Sequence, residues 1–573
     1  MTFNPRWKSI LGRRDFLWLG AQGSMALLLS RCASIPGAGP EQGADGSPKS
    51  AADQLNSFTR TYGPIDRLSG EQVPQAFSGD NNTRPHSILW NLDSYFSTHS
   101  PKGEIEKAPM VIIGGGMSGL FTAYEYRQHQ PIILEQAPRF GGNAKGQQWR
   151  DLTYSIGAAY IDLPRAGTPM RKFYDELDLE KVLVGRPTSD PAEFNGKIYA
   201  NFWEGETEPK LATKYEKMNT FFSSLCKEKD RPFPFIPALN QGQFDSVKYY
   251  DRYSLHSLLS EVVGGRLPPH LETALEYYCW STYAASAKEI SASAALNFLA
   301  QESNPIRIGA GGNARIGEVL LERLVRELPT KNLRTQALVV KVKVHDDHAE
   351  VWYEDAERNL RRIHTRCVVM CCPKFVAAKF LEGIESERVN AIKKIKYRSY
   401  MTANLLLKKK PKALFYDLFM TGNGKSKYGN LEKWQDEVNA TDFVLANFAD
   451  RSAGVTALTF YRAFPVDGMR AKLNTPEAYS EYRKKFETQI AKSVLPLLEL
   501  SQADVADLRL TLWGHALPVA TPGFYSDGTI EQLRKPFKGR VVFVEQDNWL
   551  YPSTQTGATD TILLQEEIRK ALA

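Results

Sequence analysis

The sequence predicts an α/β fold from three stretches in which a short apolar run is followed by turn or helix signals. The first is APMVIIGGGMSGLFTAYEYRQHQPIILEQAPRFGG at 108–142, the second TRCVVMCCPK at 365–374, and the third GRVVFVEQDN at 539–548. Apolar runs this short are typical of strands that are buried on both faces of a parallel sheet. The third run ends in acidic residues.

The first stretch is a strand–turn–helix–strand unit. Residues 111–113 form the first apolar strand, residues 117–129 have helical spacing, and residues 132–134 form a second apolar strand that ends at Glu135. The unit spans about 30 residues, which is the context in which a glycine turn predicts a dinucleotide-binding site. We therefore expect a Rossmann-like domain here.

The glycine turn between these strands has the pattern Gly114-x-Gly116-x-x-Gly119. The first glycine permits a tight turn, the second lets a pyrophosphate approach the backbone, and the third lets the helix pack close to the strand. The free N–H groups at the helix start then face the phosphates. Glu135 is placed to accept hydrogen bonds from a ribose.

The segment after Glu135 indicates which dinucleotide is bound. It continues as Ala-Pro-Arg-Phe-Gly-Gly at 137–142 and then as YSIGAAYI at 154–161. Here the sequence resembles the FAD-binding superfamily of flavin amine oxidases, phytoene desaturases and protoporphyrinogen oxidases, whose hallmark is an Arg-x-Gly-Gly segment followed by a strand rich in Gly and Ala. Asn143 departs from the arginine that the family often has after the two glycines.

The resemblance implies an FAD cofactor held by the glycine turn, the Arg-x-Gly-Gly segment, the next strand and elements near the C-terminus. The implied cofactor-binding residues are Gly114, Gly116, Met117, Ser118, Gly119, Glu135, Gln136, Arg139, Gly141, Gly142, Asn143, Gly157, Ala158, Ala159, Val339, Glu545, Asp547, Gln555, Thr556 and Ala558.

Four of these positions have roles that the resemblance specifies. Val339, in the first strand of a hairpin expected at 337–344 and 349–355, would present its backbone to the adenine. Glu545 and Asp547 are both candidates for the acid that holds the ribityl chain or the pyrophosphate. Thr556 lies near the start of a helix expected from residue 553 to 570, whose N-terminus would face the pyrimidine oxygen of the flavin.

A chain of 573 residues predicts two or more domains. The resemblance implies a Rossmann-like FAD-binding domain with an interleaved α+β substrate domain. The expected division is 1–32 export signal, 33–105 tether and N-terminal extension, 106–170, 309–375 and 521–573 FAD-binding domain, and 171–308 and 376–520 substrate domain. Residues 33–53 are rich in Gly, Pro, Ser and Ala, and predict a flexible tether.

The first 32 residues resemble a twin-arginine export signal. Arg13 and Arg14 precede an apolar stretch at 17–29, which is too short to span a membrane. This signal implies the twin-arginine translocase as a partner and a periplasmic location. Cys32 lies in a sequence like a lipoprotein box, but Arg31 stands where a small residue is expected, so lipid attachment and membrane anchoring stay open.

Composition excludes other classes of function. The net charge is +7, without a concentrated arginine–aromatic stripe, so we expect no nucleic-acid partner. The six cysteines form no CxxC pair, and no His-x-x-x-His spacing occurs, so we expect no metal site.

The residues that would carry the chemistry are less clear. Amine oxidases have a lysine near the flavin and an aromatic residue flanking it; these positions fall on Thr402 and Thr554. Lys396 and Tyr400 are near the first position but out of phase. The pair Trp549 and Tyr551 could wall the flavin ring instead. A further aromatic group is consistent with core packing or with a substrate cavity; it comprises Tyr277, Tyr278, Trp280 and Tyr283. No catalytic residue is assigned.

Three functions therefore remain open. The first is an exported FAD-dependent oxidoreductase that oxidises an amine or amino-acid-like small molecule by hydride transfer to flavin, with oxygen or another electron acceptor. The second is a desaturase or oxidase of an apolar or cyclic substrate, which predicts a long apolar tunnel. The third is a flavin-bound protein without catalytic turnover.

Overall fold

The computed structural model describes residues 50–68, 74–80, 83–186, 191–225, 231–301, 305–413, 415–424 and 430–573. The twin-arginine motif, Cys32 and most of the expected tether lie outside these residues. No helix in the described ranges is long and apolar enough to cross a membrane.

The strands follow one another along the chain, and they are numbered in that order. They are β1 (Ile65–Arg67), β2 (Ser78–Gly79), β3 (Glu106–Ile113), β4 (Ile132–Leu134), β5 (Gly146–Trp149), β6 (Leu152–Ser155), β7 (Tyr160–Asp162), β8 (Val184–Gly185), β9 (Ala192–Phe194), β10 (Lys197–Tyr199), β11 (Ile306–Ile308), β12 (Leu333–Arg334), β13 (Leu338–Val344), β14 (Ala349–Glu354), β15 (Leu360–Met370), β16 (Lys396–Leu407), β17 (Asp417–Met420), β18 (Asp442–Leu445), β19 (Thr456–Ala463), β20 (Val505–Val519) and β21 (Val541–Phe543).

The α-helices are numbered in the same way. They are α1 (Ala51–Tyr62), α2 (Thr83–Leu89), α3 (Leu92–Thr98), α4 (Met117–Glu125), α5 (Pro169–Glu176), α6 (Ala212–Leu225), α7 (Gln241–Tyr250), α8 (Leu255–Val262), α9 (Pro269–Tyr283), α10 (Ala292–Gln301), α11 (Ala314–Glu327), α12 (Lys374–Phe380), α13 (Ser386–Lys394), α14 (Leu431–Glu437), α15 (Met469–Leu473), α16 (Ala478–Gln489), α17 (Leu495–Leu497), α18 (Thr529–Arg534), α19 (Thr554–Leu563) and α20 (Gln565–Leu572).

The first large sheet is the nucleotide-binding one, and it confirms the predicted α/β fold. Strands β12, β4, β3, β15 and β21 run parallel in that spatial order. From β3 the chain first adds β4 and β12 on one side of the sheet, and it then crosses over to add β15 on the other side of β3. Doubly wound sheets bind ligands at this point, outside the carboxyl ends of their strands. The expected hairpin is also present, as β13 and β14 pair antiparallel beside β15.

The second large sheet has the order β10-β9-β17-β18-β19-β16-β20-β2. Its strands come from the blocks at 171–308 and 376–520 and from the N-terminal extension, because β9 pairs with β17 and β2 pairs with β20. Segments far apart in the sequence therefore form one continuous face, and that face is turned toward the first sheet's ligand edge.

Several element boundaries differ from the sequence-based expectation. The Gly- and Ala-rich segment at 154–161 is not one strand, because β6 ends at Ser155 and β7 starts at Tyr160, and the helix expected at 117–129 ends at Glu125. The expected tether to residue 53 is too long, because α1 begins at Ala51, where the Ser50 and Asp53 side chains form a capping box. The helix expected from residue 553 to 570 is two helices, since α19 ends at Leu563 and α20 starts at Gln565.

Candidate active site

A cavity of about 360 Å³ lies between the carboxyl ends of the first sheet and the face of the second. Its nucleotide side is formed by Gly116 after β3, Cys371 after β15 and Glu545 after β21. On the opposite side, Tyr400 and Asp442 project from the second sheet. The cavity therefore joins the predicted nucleotide seat to the predicted substrate domain.

The three glycines of the turn have different environments. A Cβ atom on Gly114 would lie 2.5 Å from the carbonyl oxygen of Cys371, and one on Gly119 would lie 1.9 Å from that of Gly114. On Gly116 the nearest atom would be the Cα of Gly142, at 3.5 Å. The first and third glycines are thus required by packing, whereas the second leaves a wall of the cavity open, as a closely approaching pyrophosphate requires.

Two predicted ligands of the nucleotide are held by the backbone. The buried carboxylate of Glu135 accepts hydrogen bonds from the N–H groups of Gly115 at 2.7 Å and Ala137 at 2.8 Å. Arg139 donates to the carbonyl oxygens of Thr61 at 3.0 Å and of Ile65, and its burial lowers its pKa. Arg139 thereby fixes the N-terminal extension to the Arg-x-Gly-Gly segment. A contact of either residue with FAD stays a prediction.

The structure brings about half of the expected cofactor residues into the cavity lining. Those that line it are Gly116, Met117, Ser118, Gly141, Gly142, Asn143, Gly157, Ala158, Ala159, Glu545 and Asp547. Those outside the lining are Gly114, Gly119, Glu135, Gln136, Arg139, Val339, Gln555, Thr556 and Ala558.

Three of the residues outside the lining belong to α19. Gln555 lines a smaller neighbouring cavity, Thr556 donates to the carbonyl oxygen of Tyr551 at 2.9 Å, and Ala558 is fully buried. The helix start still lies beside the glycine turn, because a Cβ on Gly557 would lie 2.2 Å from the Ser118 hydroxyl.

The carboxyl end of β21 contains a buried charged network. The Lys374 ammonium lies 2.6 Å from Glu545, and the Lys374 backbone N–H donates to Asp547 at 2.9 Å. Burial raises the pKa of Glu545 and that of Asp547, and the Lys374 ammonium opposes both shifts. No local sequence pattern predicted the pairing of Glu545 with Lys374, which follows a different strand.

Asp547 supplies a direct test of whether FAD fits. Its Oδ1 atom is buried without a hydrogen-bond partner among the described residues, and the side chain lines the cavity. A buried acceptor in this state is satisfied when a ligand hydroxyl donates to it. The open space at Gly116 and this free acceptor both fit a ligand with a pyrophosphate and a polyol chain, as FAD has.

The substrate side is a row of side chains across the second sheet. Thr402 pairs with Tyr461, Tyr461 with Asp442, and Asp442 with Phe419 on successive strands. All four line the cavity. The Thr402 hydroxyl donates to the carbonyl oxygen of Ile156 at 2.9 Å, next to the predicted flavin-facing strand.

The residues considered as replacements for the amine-oxidase lysine and for its flanking aromatic residue differ in whether they line the cavity. Tyr400 lines the cavity, whereas Lys396 is exposed and lies 3.6 Å from Glu289. The side chain of Trp549 is buried outside the lining and donates to Asp560 at 2.8 Å, and Tyr551 lines only the smaller cavity. The walls are instead provided by other aromatic side chains, namely Tyr160, Tyr278, Phe298, Tyr400, Phe419, Tyr461 and Trp513.

Two buried aspartates in the lining were missed by the sequence analysis. Asp417 and Asp442 each lie at the start of an otherwise apolar strand, and a carboxylate in such a run was the available signal. Asp442 accepts hydrogen bonds from the hydroxyls of Thr441 at 2.5 Å and Ser281 at 3.0 Å. Burial raises its pKa to about 7. The cavity therefore has an acidic end.

Comparison with known proteins agrees with this geometry. Residues 117–488, more than half of the chain, match the family model described as flavin containing amine oxidoreductase. A curated relative, the oxidoreductase PigB of Serratia sp. (strain ATCC 39006), is 22% identical over 520 residues, which cover 79% of this chain and 75% of PigB.

Two solved structures illustrate the fold. Putrescine oxidase bound to putrescine superposes with a TM-score of 0.57 at 14% identity, covering 80% of this chain and 99% of that one. A fatty acid isomerase from P. acnes superposes with a TM-score of 0.57 at 13% identity, covering 80% and 98%. These similarities establish the fold and leave the substrate open.

The noncatalytic alternative has no support in these comparisons, since the matched family and PigB are both described as oxidoreductases. The glycine turn, the open wall at Gly116 and the free acceptor of Asp547 suit the flavin that the family carries. The chain is an FAD-dependent oxidoreductase, and it belongs to the flavin-containing amine oxidoreductase family.

Proposed function

We propose that the protein is exported and oxidises an amine or an amino-acid-like amine. The observation that carries the substrate class is the acidic end of the cavity, where Asp442 and Asp417 lie among tyrosines. A protonated amine is attracted both to carboxylates and to the faces of aromatic rings, and more strongly where water is excluded. Bound FAD supplies the redox chemistry by accepting a hydride from the carbon that bears the nitrogen.

The protein's own residues bind and orient the substrate. Tyr400 donates to the carbonyl oxygen of Ser281 at 2.8 Å, which fixes its ring against the cavity. The Trp513 indole N–H donates to the carbonyl oxygen of Ile156 at 2.8 Å, so this ring is also held in one orientation. Fixed aromatic walls exclude water and limit the positions that a small amine adopts.

A second candidate is oxidation of an apolar or cyclic substrate. One argument favours it: by resemblance Thr402 falls where amine oxidases have a lysine, and its hydroxyl is already bonded to a backbone carbonyl. The long apolar tunnel that this function predicts is at odds with two carboxylates in the lining, because facing an apolar molecule with a desolvated carboxylate is costly.

The substrate class is tested by anaerobic mixing of the FAD-loaded protein with a panel of amines, amino acids and cyclic alkenes. The measurement is loss of the oxidised-flavin absorbance. We expect bleaching by amines. Bleaching by cyclic alkenes alone would favour the second candidate, and admission of oxygen or of a dye then identifies the electron acceptor by the return of the absorbance.

Export is tested separately, since the signal lies outside the described residues. The proposal is supported by the Arg13-Arg14 pair and by the use of the twin-arginine translocase for proteins that fold before transport. We expect the R13K/R14K double variant to remain in the cytoplasm of a bacterial host while the native chain reaches the periplasm. A C32S variant that moves from the membrane fraction to the soluble fraction would show lipid anchoring at Cys32.

A further inference from the structure

We propose that Asp162 accepts the proton that a bound ammonium group loses before it is oxidised, and that the smaller cavity passes this proton to solvent. This inference rests on the proposed amine oxidation and supplies its proton acceptor. The argument depends on where Asp162 lies, on what lines the smaller cavity and on how the other acids of the main cavity are used.

The proposed chemistry requires a proton acceptor beside the reacting carbon. An alkylamine carries a proton in neutral water, and its nitrogen lone pair must be free before a hydride leaves the neighbouring carbon. In the proposed step an N–H bond of the ammonium group breaks, an O–H bond forms on the Asp162 carboxylate, and the amine becomes neutral. Asp162 then loses the same proton to water, so the carboxylate is regenerated and no further reactant is consumed.

Asp162 lies at the end of the main cavity where the flavin ring is expected. It is the last residue of β7, and it directly follows the segment 154–161 that the resemblance places near the ring. The side-chain amide of Gln555, at the start of α19, donates to the carbonyl oxygen of Asp162 at 3.3 Å. Both neighbouring segments are therefore ones expected beside the flavin, which is where the reacting carbon has to lie.

The smaller cavity leads from Asp162 toward the surface. Asp162 and Ser553 line both cavities. The smaller one has a volume of about 50 Å³, which is room for a few water molecules. Arg165 and Thr168, which also line it, flank the exposed residues 166 and 167. Its polar lining suits hydrogen-bonded water, and it comprises Asp162, Arg165, Thr168, Ser553, Gln555 and Thr559.

The other acids of the main cavity do not reach this route. Among the described residues, its carboxyl side chains are those of Asp162, Asp417, Asp442, Glu545 and Asp547, and its lining contains no lysine or histidine. Of these acids, Asp162 alone also lines the smaller cavity. The carboxylate of Asp442 accepts from two hydroxyls, and Glu545 is paired with Lys374. Asp162 is thus the acid that joins the substrate space to a polar path outward.

The surroundings of Asp162 suit proton exchange near neutral pH. Burial raises its pKa to about 6, while a hydrogen bond from Gln555 and the charge of Arg165 oppose this shift. Its partner on β11 is the apolar Ile306, and Tyr551 is the other titratable group that lines the smaller cavity. Burial also lowers the pKa of a bound ammonium, so the pKa values of donor and acceptor approach each other.

The experiment mixes the FAD-loaded protein with saturating n-alkylamine in the absence of oxygen, and it follows flavin absorbance together with a pH-indicator dye. In the native protein we expect the rate constant of flavin reduction to fall below about pH 6, because protonated Asp162 accepts no further proton. We expect D162N to lower this rate constant at about pH 8 by a hundredfold or more, to lose the fall below pH 6 and to delay proton release. D347N removes an exposed carboxylate and should behave as the native protein does.

A second variant distinguishes a proton acceptor from a structural residue. D162A removes the carboxyl group, and small carboxylates such as formate can enter the remaining space from the smaller cavity. We expect formate to restore part of the rate in D162A and to leave the native protein and D347N unchanged. A D162A rate that does not respond to formate would contradict the route through the smaller cavity.

The outcomes separate this inference from the proposed function. If no amine reduces the flavin, the proposed function fails before any variant is compared. If amines reduce it but D162N keeps the native rate and pH dependence, the assignment of Asp162 is wrong while amine oxidation stands.

The native protein decides the question if the variants lose their FAD. n-Propylamine and its less basic fluorinated analogue should then show the fall in rate at the same pH, because the group that titrates belongs to the protein. A fall that moves with the basicity of the amine would overturn the proposal.

Discussion

The ammonium nitrogen of Lys374 lies 2.6 Å from the Oε1 atom of Glu545, and both side chains are almost completely buried. The pair joins the first residue of α12, which comes after β15, to the segment after β21, at the edge where the cavity begins. Lys374 also donates to the side-chain oxygen of Asn548 at 2.7 Å. The pair therefore fixes the geometry of the two acids that line the nucleotide side.

Replacement of Lys374 by methionine is expected to destabilise the protein by about 3–5 kcal/mol, because Glu545 would be left buried without its cation. The measurement is thermal unfolding together with the FAD content of the purified protein. K433M removes an exposed lysine, whose side chain is 72% accessible, and serves as the control. A K374M protein with native melting temperature and flavin content would contradict the assigned role.

Replacement of Gly116 by alanine is expected to weaken FAD binding by tenfold or more with little loss of folding stability. Its φ of −74° suits alanine, and the new methyl group would meet only Gly142, at 3.5 Å. Flavin fluorescence during titration measures the affinity, and denaturant unfolding of the flavin-free protein measures the stability.

Gly119 provides the matched comparison. A methyl group there would lie 1.9 Å from the carbonyl oxygen of Gly114, so we expect G119A to reduce stability by several kcal/mol as well as FAD binding. Equal losses of folding stability in G116A and G119A would show that Gly116 is required for packing, rather than for keeping the cavity wall open to the pyrophosphate.

The pH dependence of stability tests the state of Asp442. Its raised pKa, about 7, means that the folded protein holds a proton that the unfolded chain releases above about 4. Its contribution to the free energy of unfolding is therefore full below pH 4 and is lost as the pH rises to 7. The groups near it are Thr441 and Ser281, which donate to it, the buried hydroxyls of Tyr400 and Tyr461, and the carboxyl group of Asp417, which acts on the same two tyrosines.

Between pH 4 and pH 7 we expect the free energy of unfolding to fall less in D442N than in the native protein, and the two decreases should differ by more than about 1 kcal/mol. Denaturant unfolding at several pH values provides the measurement, with D347N as the charge control. Parallel profiles for the native protein and D442N would mean that Asp442 is ionised throughout this range.

Replacement of Arg139 by alanine is expected to release the N-terminal extension. The guanidinium donates to the carbonyl oxygens of Thr61 and Ile65, and these acceptors lose their partner in the variant. Limited proteolysis should then cut R139A between α1 and β3 at least tenfold faster than the native protein. The exposed Arg569 on α20 offers a control in R569A, which should be cut at the native rate in this segment.

The sequence was most informative where the signal is local. The glycine turn, Glu135 and the β13–β14 hairpin each lie within a short stretch, so the local residue pattern was enough to predict their geometry. The second sheet was not predictable in this way, because its order depends on pairings such as Ala192 with Phe419, which are far apart in the chain. The acidic end of the cavity exists only once those strands have come together, and so does the pairing of Lys374 with Glu545.

The N-terminal extension contributes one short strand to each of two sheets, β1 beside β5 and β2 beside β20. A shortened protein that began at β3, close to the start of the family match, would expose the backbone groups of both neighbours as unpaired edges. Exposed edges of this kind recruit strands from other molecules. Attempts to trim this enzyme for expression should therefore keep everything from Ser50 onward, or the preparation is expected to self-associate.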